Sequence, residues 1–141
     1  MTSIETIRDD FTLLDDWEDK YRYVIELGEQ LPPFPDSARD EGHRVQGCVS
    51  RVWLIAEVDE GADPQIHLQG DSDAHIVRGL VAIMLALYSG QRASEIETID
   101  AEETLRALGL DEHLTPQRAN GLRSMIKRIK QEARSALVER I

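Results

Sequence analysis

Polar and apolar residues alternate with a helical period near both ends of the chain. Residues 3–11 and 15–30 have this spacing, and acids fill the first turn of the second segment, where the helix dipole favours negative charge. The prolines within residues 31–36 end this helix, because proline cannot continue it. Near the C-terminus, Thr115 as N-cap and Pro116 at the first helical position predict the start of a long amphipathic helix.

Between these helices the pattern changes to an alternation at every second residue, which is typical of strands. Residues 50–58 and 65–70 alternate in this way, and the turn-forming residues 59–64 separate them. The two segments therefore predict an antiparallel hairpin. Residues 43–46 are expected to add a third short strand.

Residues 71–90 return to a helical period and are apolar on nearly every side, so they predict a central buried helix. Ser72 or Asp73 is expected to cap this helix, and Gly90 is expected to end it.

Two capping-box patterns follow, beginning at Ser94 and at Asp100, and each predicts a short helix. The elements together predict an α+β fold, in which a small antiparallel sheet of about three strands is packed by helices. Residues 1–141 have the usual size of a single domain.

The charge balance narrows the classes of partner. A formal net charge of −11 argues against binding to nucleic acid and to anionic membrane surfaces, and it favours basic protein partners. The longest apolar run, residues 80–88, is too short to span a bilayer. The first ten residues contain acids and no signal-peptide core, and the one cysteine cannot form an internal disulfide. We therefore expect a cytoplasmic protein with a reduced thiol.

That cysteine, Cys48, stands between a polar loop and the first strand of the hairpin, directly after Gly47. A lone cysteine is usually a small buried hydrophobe. Here the glycine makes a tight backbone conformation easy, and loop-to-strand junctions often carry function. The position therefore makes a purely structural cysteine less expected. A thiolate is a strong nucleophile and can accept or give a sulfur atom by exchange.

Two other kinds of chemistry have weaker support. None of the four histidines lies in a recognisable Cys–His hydrolase signature, so a hydrolase is the weakest interpretation of Cys48. Asp71, Asp73 and His75 are of metal-ligand types, but acids at the start of a helix are better explained as capping residues. A single cysteine cannot hold an iron–sulfur cluster by itself. We expect neither a metal nor a cofactor in this chain.

Arg118 lies in the first turn of the last helix, where the dipole disfavours a cation. One interpretation is a solvated side chain, and the other is a pair with a carboxylate, for which Asp71 and Asp73 are candidates. Gly121 costs the same helix about 1 kcal/mol against alanine, which is consistent with the close approach of another segment.

Four blocks of the chain resemble the SufE family, in the order and at the spacing of that family. They are "WEDKYRYVIELGEQLP" (17–32), "VQGCVSRVWL" (45–54), "LQGDSDAHIVRGLVAIMLALYSG" (68–90) and "HLTPQRANGLRSMIKRIK" (113–130). Residues 91–112 resemble the family least. The resemblance implies an α+β fold similar to the IscU-type scaffold.

The resemblance also implies a function. SufE-like proteins accept sulfur from a pyridoxal-phosphate cysteine desulfurase of the SufS or CsdA type, stimulate that enzyme, and pass the sulfur to iron–sulfur assembly on a SufBCD-type scaffold. By resemblance, Cys48 is the residue that carries the persulfide. Gly47, Asp71, Asp73 and Arg118 match family positions and are expected to position the cysteine loop or to dock the partner.

Two interpretations of this resemblance remain open. In a relay, a single thiol is an advantage, because a second thiol nearby would convert the persulfide into a disulfide and release sulfide. In a non-catalytic adaptor, the chain would bind and stimulate a desulfurase while Cys48 serves only in packing. The sequence does not decide the oligomeric state, and a homodimer is compatible with it.

Overall fold

The computed structural model describes the backbone of residues 2–139 and the side chains of residues 2–138. Helices at both ends of the chain enclose one antiparallel hairpin and a central helix. In chain order the elements are α1 (Ile4–Thr12), α2 (Trp17–Glu29), a short 3₁₀ turn (Asp36–Ala38), β1 (Val52–Val58), β2 (Ile66–Ser72), α3 (His75–Tyr88), α4 (Ala93–Thr98), α5 (Ala101–Ala107) and α6 (Pro116–Glu139). The α+β class predicted from the sequence is confirmed, and no helix in the described range is long and apolar enough to cross a membrane.

The predicted hairpin is present, with β1 and β2 antiparallel and Val52 opposite Ser72. Val52 and Leu54 enter the main core, whereas Trp53 packs on the opposite face against Phe34. The sheet of the described residues has two strands, not three. Residues 43–46 do lie against β1, but they form only one isolated bridge there, because the chain turns away into the loop that carries Cys48.

Helix α3 is the centre of the core, as its apolar sequence predicts. Leu80, Val81, Ile83 and Met84 are each at most 1% exposed. Helix α2 crosses α3 at Gly79, and the two helices can approach closely there because glycine has no Cβ. A Cβ at this position would overlap the backbone of Val24. This close packing fixes the position of α3 beneath the hairpin and beside α6.

The predicted cap of α3 is wrong. Ser72 is still part of β2, and the helix begins at His75 after Ala74, whose side chain offers no cap. The Asp73 carboxylate instead accepts a hydrogen bond from the Arg51 backbone N–H at 3.0 Å. Strand β2 thus extends to Ser72, a residue type that could equally have capped a helix.

Of the three other helix caps predicted from the sequence, two are present in the structure. Asp100 accepts from the Glu103 backbone N–H, and Thr115 accepts from that of Arg118. Ser94 does not cap α4; its hydroxyl donates to Asp63, a residue of the hairpin turn.

Candidate functional site

Cys48 lies in the loop that leads into β1, and the loop is shaped by the preceding glycine. Gly47 has φ of +91°, a conformation that residues with a Cβ rarely adopt. A Cβ there would also lie 2.5 Å from the hydroxyl oxygen of Ser124 on α6. Glycine therefore permits both the turn and the contact of this loop with α6.

The Cys48 thiol is half-buried against α6. Its Sγ donates a hydrogen bond to the Gly121 carbonyl oxygen at 3.5 Å. Burial raises the pKa of the Cys48 thiol above its ordinary value, and the nearby positive charge of Arg44 offsets part of that rise. The sheltered residue is consequently a protonated, weakly nucleophilic thiol at neutral pH.

A cavity of about 210 Å³ opens beside the thiol, between the loop, α3 and α6. Its walls are apolar on the α3 side and polar at the start of α6. The lining residues are Cys48, Val49, Ser50, Val77, Leu80, Thr115, Gln117, Arg118, Gly121 and Met125. Val49, the residue after Cys48, is 75% exposed, so the loop presents an apolar side chain to solvent immediately beside the thiol.

Arg118 lines this cavity, but it does not form the pair considered from the sequence. Across residues 2–138, the Arg118 side chain makes neither a hydrogen bond nor an ion pair, and its backbone N–H donates to the Thr115 hydroxyl. The expectation that Asp71 or Asp73 would hold its guanidinium is wrong. Asp71 pairs with Arg39 and Arg78, and Asp73 accepts from the Arg51 backbone N–H.

Asp71 belongs to a separate cluster on the Trp53 face of the hairpin. Its carboxylate lies 2.7 Å from Arg39 Nη2 and 2.9 Å from Arg78 Nε. The guanidinium of Arg39 also lies over the rings of Phe34 and Trp53, at 5.3 and 5.1 Å from the ring centroids. These five residues form what we call the Asp71 network, which fastens the segment after α2 to the hairpin.

Comparison with known proteins identifies the family. The family model for SufE, described as an Fe–S metabolism associated domain, matches residues 5–133. The chain belongs to the SufE family. An uncharacterized SufE-like protein of Rhizobium meliloti strain 1021 is 59% identical over 138 residues, covering 97% of this chain and 99% of the relative. Another from Rhizobium etli is 55% identical over 135 residues, covering 95% and 91%.

A solved structure shares the fold. The solution structure of a hypothetical protein from Thermus thermophilus matches with a TM-score of 0.74 and 23% identity, over 96% of both chains. The family model and the two relatives confirm the resemblance to SufE proteins noted in the sequence. SufE membership implies a role in iron–sulfur metabolism and association with a cysteine desulfurase.

In this SufE-family chain, the cavity beside Cys48 has no histidine in its lining. His43, the histidine nearest to Cys48 in sequence, instead has its Nδ1 2.8 Å from an Asp40 carboxylate oxygen. A Cys–His hydrolase needs the imidazole within hydrogen-bond reach of the sulfur. The geometry therefore offers no support for the hydrolase interpretation.

Sequence reasoning located Cys48, Gly47 and Arg118 at one site, but it missed what α6 contributes. The carbonyl of Gly121, the hydroxyl of Ser124 and the guanidinium of Arg128 all face the cysteine loop. The only signal for this was the unfavourable glycine inside a helix. For Arg128, the sequence has no signal, because its partners are backbone carbonyls more than 80 residues away along the chain.

Proposed function

We propose that this protein is a sulfur acceptor and carrier for iron–sulfur cluster assembly, with Cys48 as the residue that bears the persulfide. The donor is a cysteine desulfurase of the SufS or CsdA type, and the recipient is a SufBCD-type scaffold. The relay operates in the cytoplasm, where reducing conditions keep Cys48 as a thiol. The desulfurase supplies the pyridoxal phosphate, so this chain needs no cofactor of its own.

The transfer step is a thiol exchange. The Cys48 thiolate attacks the outer sulfur of the persulfide on the desulfurase cysteine. A new S–S bond forms on Cys48 as the S–S bond of the donor breaks, and the donor cysteine leaves as a thiolate. The proton lost by Cys48 is the only one that must be removed, and no electrons are gained or lost overall.

The observation that carries the proposal is the placement of Cys48. It is the only cysteine of the chain, half-buried at the wall of a small cavity and in the loop before β1. In the sheltered position the raised pKa keeps the thiol unreactive. Exposure to water would lower this pKa towards its ordinary value, so outward movement at a partner would also activate the sulfur.

Intact-mass analysis tests the proposal. The protein is incubated with a desulfurase and free cysteine, and a gain of one sulfur atom that reductant removes is expected. The Cys48→Ser variant should gain nothing. Labelling of that variant to the same extent would contradict the proposal.

The same variant separates the relay from the adaptor. If the native protein gains no sulfur and Cys48→Ser stimulates the desulfurase as well as the native protein does, the chain is an adaptor. Under the relay, Cys48→Ser loses the stimulation that depends on sulfur removal from the enzyme.

A further inference from the structure

Helix α6 contacts the segment that carries Cys48 at three successive places on one side. The Gly121 carbonyl accepts from the thiol, Ser124 lies against Gly47, and Arg128 bonds to residues 42 and 44. The spacing of 121, 124 and 128 is that of neighbouring positions on one face of a helix. One face of α6 therefore follows the loop from residue 42 to the thiol.

Arg128 makes the strongest of these contacts. Its Nη2 donates to the Gly42 carbonyl oxygen at 2.8 Å and its Nη1 donates to that of Arg44 at 3.2 Å. Its Nε donates to Glu132 at 3.1 Å, which fixes the plane of the guanidinium, and the side chain is only 24% exposed. A planar fork with this orientation holds two carbonyls in a fixed geometry, and lysine has no equivalent.

The segment held in this way leads directly to the thiol. Arg44, whose carbonyl Arg128 binds, also supplies the charge that acts on Cys48. The next residue, Val45, is 1% exposed and donates its backbone N–H to the Val52 carbonyl oxygen. Beyond Val45, the loop reaches Cys48 within three residues.

We propose that Arg128 is a positioning residue that keeps Cys48 in its sheltered place. It ties the start of the cysteine loop to α6, so that the thiol rests against Gly121 and leaves this position only when the tie loosens. The biological purpose of the tie rests on the proposed relay function, in which a docking desulfurase must move the loop outward. The tie itself is a property of the free protein.

The test is the reactivity of Cys48 in the free protein. Alkylation of a sheltered thiol follows the population of the open loop. Arg128→Met should raise the alkylation rate roughly tenfold, the change that about 1.4 kcal/mol in the opening equilibrium produces. Arg128→Lys should give an intermediate rate, because lysine keeps the charge and loses the fork.

Arg134→Met is the matched control. Arg134 lies on the same helix and pairs with Glu97, away from the cysteine loop, so its loss removes the same charge and an ion pair. This variant should alkylate at the native rate. Hydrogen exchange should become faster at residues 43–48 in Arg128→Met while α3 and the hairpin keep native protection.

Three results would overturn the proposal. They are a native alkylation rate in folded Arg128→Met, an equal increase in Arg134→Met, or a loss of protection spread over the whole chain. If Arg128→Met does not fold, Arg128→Lys decides: a native rate in that variant also contradicts the proposal. Faster alkylation without sulfur uptake from a desulfurase by either protein would leave the tie standing and refute the relay.

Discussion

The Asp71 network and the Cys48 cavity use the same kinds of side chain in opposite ways. In the network, a carboxylate with 12% side-chain exposure lies between two guanidiniums, and one of these also packs on two aromatic rings. In the cavity, the Arg118 guanidinium has no side-chain partner in the described range. In the first region the charges are paired within the chain, whereas in the second, within the described residues, a guanidinium has no paired charge.

This difference shows how to assign separate roles to residues, such as Asp71 and Arg118, that match conspicuous positions of the family. When a buried charge has only intramolecular partners, removing one of them destabilises the fold, because the others are left uncompensated. A charge that lines a cavity and has no intramolecular partner contributes little to the fold. The sequence placed Asp71 and Arg118 in the same class of site residue, and the structure separates them.

The largest effect is expected from the Asp71 network. Asp71→Asn removes the negative charge that lies between two guanidiniums, and breaking a buried ion pair costs about 3 kcal/mol. Urea denaturation should show this loss of unfolding free energy. Asp36→Asn is the control, because Asp36 also pairs with Arg39 but is almost fully exposed. Equal midpoints for the two variants would mean that the Asp71 network is not structural.

A smaller effect is expected at the loop of the Cys48 cavity. Gly47→Ala introduces a Cβ at a residue with positive φ, which costs roughly 1–2 kcal/mol. The same Cβ would also overlap the Ser124 hydroxyl. Gly61→Ala is a matched control, since Gly61 also has positive φ but nothing within 4 Å. Denaturation should give a greater loss for Gly47→Ala, and Cys48 should alkylate faster only in that variant. Identical losses would show that the contact with α6 is unimportant.

Substitution of Arg118 is expected to change stability least, although it should weaken function. Arg118→Ala should change the unfolding free energy by less than about 0.5 kcal/mol, because no intramolecular partner is lost. Sulfur acceptance from a desulfurase should nevertheless weaken. Lys127→Ala, an exposed cation on the same helix, should leave acceptance unchanged. A clear loss of stability in Arg118→Ala, or native acceptance, would remove the contrast between the two regions.

Periodicity was enough to predict the elements that make the core. The hairpin and α3 follow from the alternation of residues 50–70 and the apolar run after it, because burial itself imposes that pattern. The expected Ser72 or Asp73 cap failed because a strand and a helix compete for the same polar residues, and pairing with β1 decides between them. Local sequence does not contain that information.

The candidate site divides in the same way. The Gly47–Cys48 pair is local, so its unusual backbone could be anticipated. The sheltering of the thiol depends on Gly121, which is 73 residues further along the chain. The partners of Asp71 depend on Arg39, 32 residues away. Contacts of this kind depend on how α6 and the segment after α2 pack against the hairpin, which the local sequence does not specify.

Gly121 has one more consequence under the proposed relay. The side chain at position 48 would then exist in two lengths, as a thiol and as a persulfide, which differ by an S–S bond of about 2.0 Å. A Cβ at position 121 would lie 3.5 Å from the sulfur, on the side from which α6 faces the thiol. Because glycine has no Cβ, this space remains open to the added sulfur of the longer side chain. Under the relay, the sheltered position against α6 can then receive the loop both before and after sulfur transfer.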